Sequence, residues 1–166
     1  GQWAIWLIPG MAALLVQVST EELFFRGYLQ QQLAAWSSSR WVWMVVPSVA
    51  FGMAHYYNGV DAIQGFLWAY WAALLGLACA DLTARTGNLG AAIGLHLANN
   101  AFALLVTSVK GWPGSGLALF LYPYQDPMDM AMPDASLLEP WVIFQMMLSS
   151  LSVFVMWMAA RLTLRR

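Results

Sequence analysis

Charge is what this sequence has least of. Asp, Glu, Lys and Arg make up 9% of its 166 residues, where an ordinary soluble domain carries about 25%. So little charge cannot cover a water-facing surface, which argues against a soluble globular domain. Seven Lys and Arg against eight Asp and Glu leave a net charge of −1. No basic face can be assembled from that, so nucleic-acid partners are excluded. Cys79 is the single cysteine, which rules out an internal disulfide and any paired-cysteine metal site. Lying in an apolar run, it reads as a buried, inert thiol. The period-two alternation of a membrane barrel is also missing. Helices are the other structure that satisfies its own backbone in lipid. No charged leader or cleavage site is visible. The chain opens on Gly1-Gln2-Trp3, already apolar and without a start methionine, and reads as a fragment lacking upstream spans.

What the sequence does have is hydrophobic length: 61% hydrophobic residues, mean hydropathy +0.62, and ten Trp and ten Met. Trp favours the membrane–water interface, where the ring is apolar and its N–H stays wet. Five apolar segments follow one another, at about 3–36, 41–57, 62–84, 89–109 and 141–162. The first exceeds the ~20 residues of one straight span, and its amphipathic second half, with Gln30, Gln31 and Gln32, predicts a bend or an interfacial continuation. Pro47 predicts a kink in the second. The fold class expected is all-α, a polytopic transmembrane bundle of about five helices forming one domain over 1–166. The Gly-, Pro- and Asp-rich stretch 111–140 reads as an extramembrane loop. If all five segments cross, Arg40, Arg85, Arg161, Arg165 and Arg166 share one side. Lys110, Asp126, Asp129, Asp134 and Glu139 share the other. The positive-inside rule then places the arginine side and the C-terminus in the cytoplasm, and the composition resembles a bacterial inner-membrane protein.

Ionisable groups inside a membrane are costly, so each is a functional candidate. In Ser19-Thr20-Glu21-Glu22-Leu23-Phe24-Phe25-Arg26, Glu22 and Arg26 are four apart, neighbours on one helical face with the acid N-terminal. Glu21 lies about 100° around the helix from Glu22. Glu22 can therefore neutralise Arg26, while Glu21 points elsewhere and stays free. A free carboxylate in a dry site can serve as a general base; the bland alternative is a solvated interfacial cluster. In Phe51-Gly52-Met53-Ala54-His55, Phe51 and His55 share a face and the small residues allow close packing. By itself such a histidine is more often a satisfied interfacial one. In His96-Leu97-Ala98-Asn99-Asn100, His96 and Asn100 can point at one place, though an interhelical hydrogen bond would explain them as well. Each motif is weak singly. Both histidines of the chain and an acidic pair, on separate apolar helices, are hard to explain as packing. One geometric difficulty stands: His55 lies about 21 Å along its helix from Trp41. Tilt, the Pro47 kink or a funnel into the bilayer must bring it level with the other groups.

Taken together, Glu21-Glu22-x-x-x-Arg26, Phe51-x-x-x-His55 and His96-x-x-x-Asn100 resemble the motif set of the CPBP (ABI) family, which includes the type II CAAX prenyl endopeptidases. Order and internal spacing agree at all three. The resemblance implies an intramembrane glutamic protease. Glu21 would activate water, His55 would hold or polarise it, and His96 and Asn100 would stabilise the oxyanion. Glu22 and Arg26 would be supporting residues. A peptide or membrane-protein substrate is implied, and no cofactor. Zinc is the runner-up, with Glu21 or Glu22, His55 and His96 as ligands, although no H-E-x-x-H is present. A non-enzymatic immunity or scaffold protein is the reading from a different class. Serine and aspartyl intramembrane proteases fit poorly: no serine sits in a G-x-S-x motif, and neither Asp61 nor Asp81 lies in a Y-D or G-x-G-D sequence.

Overall fold

A computed structural model describes residues 2–110, 115–123, 131 and 135–164. Gly1, Asp126, Asp129, Asp134, Arg165 and Arg166, used above for the start of the chain and for charge placement, lie outside the described residues. Among the described residues, six α-helices dominate. α1 (Gln2–Glu22) continues through a π-helical stretch, Leu23–Leu29, into α2 (Gln30–Trp36). A second π-helical stretch, Trp41–Val45, leads into α3 (Val46–Ala54). α4 (Ala62–Thr86) follows a short 3-10 turn, Tyr56–Asn58. α5 (Gly90–Ala101) runs into a third π-helical stretch, Phe102–Val106. α6 (Pro140–Thr163) is the last element.

The helix limits follow from local chemistry. Asp61 caps α4 by accepting from the Gln64 backbone N–H at 2.8 Å. Gly87 ends it at φ +69°, a left-handed turn that glycine adopts without strain. Pro47 sits in the first turn of α3, where no backbone donor is lost. The wider π geometry before it takes the place of the expected kink.

Among the described residues, three helices are long and apolar enough to cross a membrane: Trp3–Trp36, Ala62–Thr86 and Pro140–Thr163. The other two segments are shorter. Trp41–Ala54 is about 21 Å at 1.5 Å per residue, against a hydrocarbon core of about 30 Å. Gly90–Val106 is also below full length. The five apolar segments are thus three long helices and two short ones. The short pair stops where His55 leaves the helix and where Thr107 turns extended. The chain departs from all-helical in one place. Thr107–Val109 (β1) pairs in parallel with Phe120–Tyr122 (β2), so part of the expected 111–140 loop is ordered.

α4 is the central helix, touching α3, α5 and α6. Leu75 and Cys79 of α4 meet Ala92 of α5 in its core, flanked by Trp71 and Leu95. Close approach of α3 depends on Gly52, where a Cβ would run into the Ala69 carbonyl and the Ala73 side chain. α6 is tied on by Trp157, whose Nε1–H donates to Asp81 at 2.9 Å, and by the Tyr70–Ser150 hydroxyl pair at 2.7 Å. Its other face leaves Trp141, Phe144, Met147, Leu151 and Phe154 exposed. An apolar face of that extent belongs against lipid. The chain is an integral membrane protein.

Candidate active site

Glu22 is the centre of the buried polar cluster. Both it and Arg26 are completely enclosed, and the guanidinium Nη1 donates to Glu22 Oε1 at 3.0 Å. The pairing crosses the junction from α1 into the π-helical stretch, so the four-residue spacing still brings the two side chains together. Arg26 lies flat between aromatics, 4.6 Å from the Phe51 ring centroid and 5.7 Å from that of Phe25. The same Glu22 oxygen receives a second donor, His96 Nδ1 from α5, at 2.7 Å. A carboxylate can only accept here, so Nδ1 carries the proton and the tautomer of His96 is set by Glu22.

The other imidazole nitrogen faces Glu21. His96 Nε2 and Glu21 Oε2 are 3.7 Å apart, beyond hydrogen-bond range. Glu21 Oε2 is itself enclosed and has no hydrogen-bond partner. Its second oxygen accepts from Gln17 Nε2 at 3.0 Å. The Glu21 side chain is 24% exposed, so it lies at the edge of the cluster. The adjacent glutamates thus meet the two nitrogens of one ring, Glu22 through a hydrogen bond and Glu21 across 3.7 Å. Glu21 stays outside the Glu22–Arg26 pair, and the turn of about 100° between the two glutamates sets them on either side of His96.

His55 reaches the same neighbourhood through Phe51. The Phe51 ring stands 4.5 Å from the His55 ring and 5.6 Å, edge-on, from that of His96. The two histidines thus share one aromatic neighbour. The His55 Nδ1–H donates to the Phe51 carbonyl at 2.8 Å. Its Nε2 is therefore the acceptor nitrogen. Asn100 lies one turn beyond His96 and is half-buried, with its Oδ1 accepting from Asn99 Nδ2 at 3.0 Å. That bond fixes the carboxamide and leaves its N–H2 group as the donor end.

Cys79 is buried beside Glu22 and Arg26, with its thiol 3.7 Å from the Ala92 carbonyl. Gln17 is a site residue the sequence reading does not single out. Its position four before Glu21 on an otherwise apolar helix is the signal that carries it. Among the described residues, no three His, Cys, Asp or Glu side chains are grouped as metal ligands. One Glu22 oxygen serves both Arg26 and His96.

Residues 2–102 match the family model described as type II CAAX prenyl endopeptidase Rce1-like. The match contains all three motifs. An uncharacterized protein of Bacillus subtilis (strain 168), YyaK, is 28% identical over 137 residues, covering 75% of this chain and 42% of the relative. The chain thus spans about two fifths of the length of that curated relative. No solved structure matches.

Proposed function

The chain belongs to the Rce1-like family of type II CAAX prenyl endopeptidases, and on that premise we propose that it is an intramembrane endopeptidase using Glu21 as the base. The observation that carries this reading is the facing pair Glu21 Oε2 and His96 Nε2 at 3.7 Å, with the imidazole held from behind by Glu22. In the proposed reaction, Glu21 takes a proton from water and the resulting hydroxide attacks the scissile carbonyl carbon. His55 Nε2 accepts the second water proton in a hydrogen bond and orients the nucleophile. The oxyanion of the tetrahedral intermediate is met by the Asn100 amide N–H and by the Nε2–H of His96, which enters the reaction as an imidazolium whose charge Glu22 balances through Nδ1–H. Donors fixed in place before charge develops act strongly in a low-dielectric site. Collapse breaks the C–N bond, and the proton held by Glu21 passes to the leaving amine. The substrate class is a peptide or a membrane-protein segment.

The test uses the intact protein in nanodiscs with a quenched peptide library. Cleavage is expected to survive treatment with a strong chelator and to depend on Glu21. Cleavage lost to the chelator and restored by zinc would overturn the metal-free mechanism. Absence of any Glu21-dependent cleavage would favour a scaffold protein.

We further propose a bacterial inner-membrane location with the C-terminus cytoplasmic, supported by Arg40, Arg85 and Arg161 falling on one side of alternating helices and Lys110 on the other. Cys79 is buried, so single cysteines can be introduced at Ser38 and at Lys110. A membrane-impermeant thiol reagent applied to spheroplasts is expected to label the Lys110→Cys protein and spare the Ser38→Cys protein. The reverse pattern would invert the topology.

A further inference from the structure

α1 and the end of the α5 segment line a half-open pocket of about 190 Å3 that meets the candidate site at one residue. Gly10, Ala13, Leu14 and Gln17 form one wall, and Leu105 and Leu117 face them. Gln17 is the one polar side chain among these lining residues, and its amide N–H is bonded to Glu21 Oε1 at 3.0 Å. The opposite wall is fixed by Trp3, whose Nε1–H donates to the Leu105 carbonyl at 2.7 Å. Gly10 gives the cavity its depth, since a Cβ there would stand 2.9 Å from Leu105 Cδ2. Gln17 and Thr20 are exposed on this face of an apolar helix. Thr20 bonds its own helix at the Val16 carbonyl and Gln17 donates to Glu21, so the Gln17 carboxamide oxygen is the group left for a partner, which lipid does not supply and a peptide backbone N–H does.

We propose that this cavity receives an apolar side chain of the substrate, and that Gln17 links the occupied pocket to the base. The inference rests on the endopeptidase reading above. The size fits: an apolar cavity of about 150 Å3 in an unrelated protein takes up benzene, so this one admits a leucine- or phenylalanine-sized group and not a whole lipid chain. The position fits as well. Gln17 and Glu21 are separated by one helical turn, about 5.4 Å, while an extended peptide advances about 3.3 Å per residue. The pocket runs on from Gln17 to Gly10, about 16 Å along the helix from Glu21, so the bound side chain belongs to a residue about two to five positions from the scissile bond. The occupied pocket also fixes the Gln17 amide, which holds the Glu21 carboxylate toward His96.

The experiment compares the wild-type protein with Ala13→Leu, which fills the pocket from its exposed rim, on peptides that vary in side-chain size near the cleaved bond. The variant is expected to lose about tenfold or more in kcat/KM on peptides with Leu or Phe at the sensitive position. Peptides with Gly or Ala there are expected to stay within about threefold of wild type. Gly10→Ala narrows the pocket from its floor, against the movable end of Leu105, and is expected to shift the profile the same way. An unchanged profile in two active variants overturns the proposal, and so does an equal loss on all peptides. Because the wild-type protein and Glu21→Gln are run alongside, failure of the endopeptidase reading registers separately, as wild-type turnover that is absent or independent of Glu21.

Discussion

Replacing Glu21 by glutamine is expected to lower kcat/KM by about 10²–10⁴, the usual worth of a positioned general base, while leaving the folded protein intact. The two halves of that expectation have separate causes. Activity falls because a carboxamide cannot take a proton from water. Stability holds because Glu21 stands outside the buried ion pair, is 24% exposed, and makes one side-chain hydrogen bond, to Gln17. Substitutions at such positions shift stability by about 0.5 kcal/mol or less. Glutamine also preserves the shape of the side chain, and its oxygen can still accept from Gln17. The neighbouring change, Glu22→Gln, serves as the contrast. It removes a charge that holds both Arg26 and His96, so turnover and thermal stability should fall together. Peptide cleavage and unfolding temperature measured on both variants decide the matter. Wild-type turnover by Glu21→Gln would pass the role of base to another group.

Much of this site was legible because its strongest pairing is local. Glu22 and Arg26 are four residues apart on one helix, and helical geometry alone brings them together. The apolar lengths likewise mark out the long helices. Contacts between helices were less legible. Nothing in the spacing of Glu21 and Glu22 says that a ring 74 residues away will be held by one and faced by the other. The angle keeps Glu21 out of the Glu22–Arg26 pair, but that His96 fills the space between the two carboxylates follows only from placing α5 against α1. Phe51 illustrates the same limit. Its sharing a face with His55 is visible in the sequence, whereas its edge-on contact with His96 exists only in the packed bundle. The strand Thr107–Val109 closes an apolar run that periodicity cannot separate from helix. The three π-helical stretches carry no compositional mark at all. Gln17 was within reach of the helical-spacing argument applied to Glu22 and Arg26, run one turn backward from Glu21.

Replacing Arg26 is expected to give the largest loss of stability of any single change at the site. Arg26→Met retains an unbranched stem between Phe25 and Phe51 but removes the charge, leaving the Glu22 carboxylate enclosed without its partner. Breaking a buried pair from one side costs about 3–5 kcal/mol, mostly the penalty of the stranded charge. The loss should therefore be recoverable. In the double variant Glu22→Gln with Arg26→Met no charge is stranded, and unfolding in detergent is expected to return a substantial part of the way to wild type. Activity is expected to follow a different course. The carboxamide oxygen at position 22 can still accept from His96 Nδ1, but without a negative charge it holds the ring less firmly and stabilises its protonated form less. The double variant should fold well and turn over slowly. If Arg26→Met unfolds at the wild-type temperature, the pair contributes no net stability, and the reason for Arg26 lies in the field it places on Glu22 and His96. If the double variant regains stability and activity in parallel, the two residues support packing alone, and orientation of His96 does not depend on the charge at Glu22.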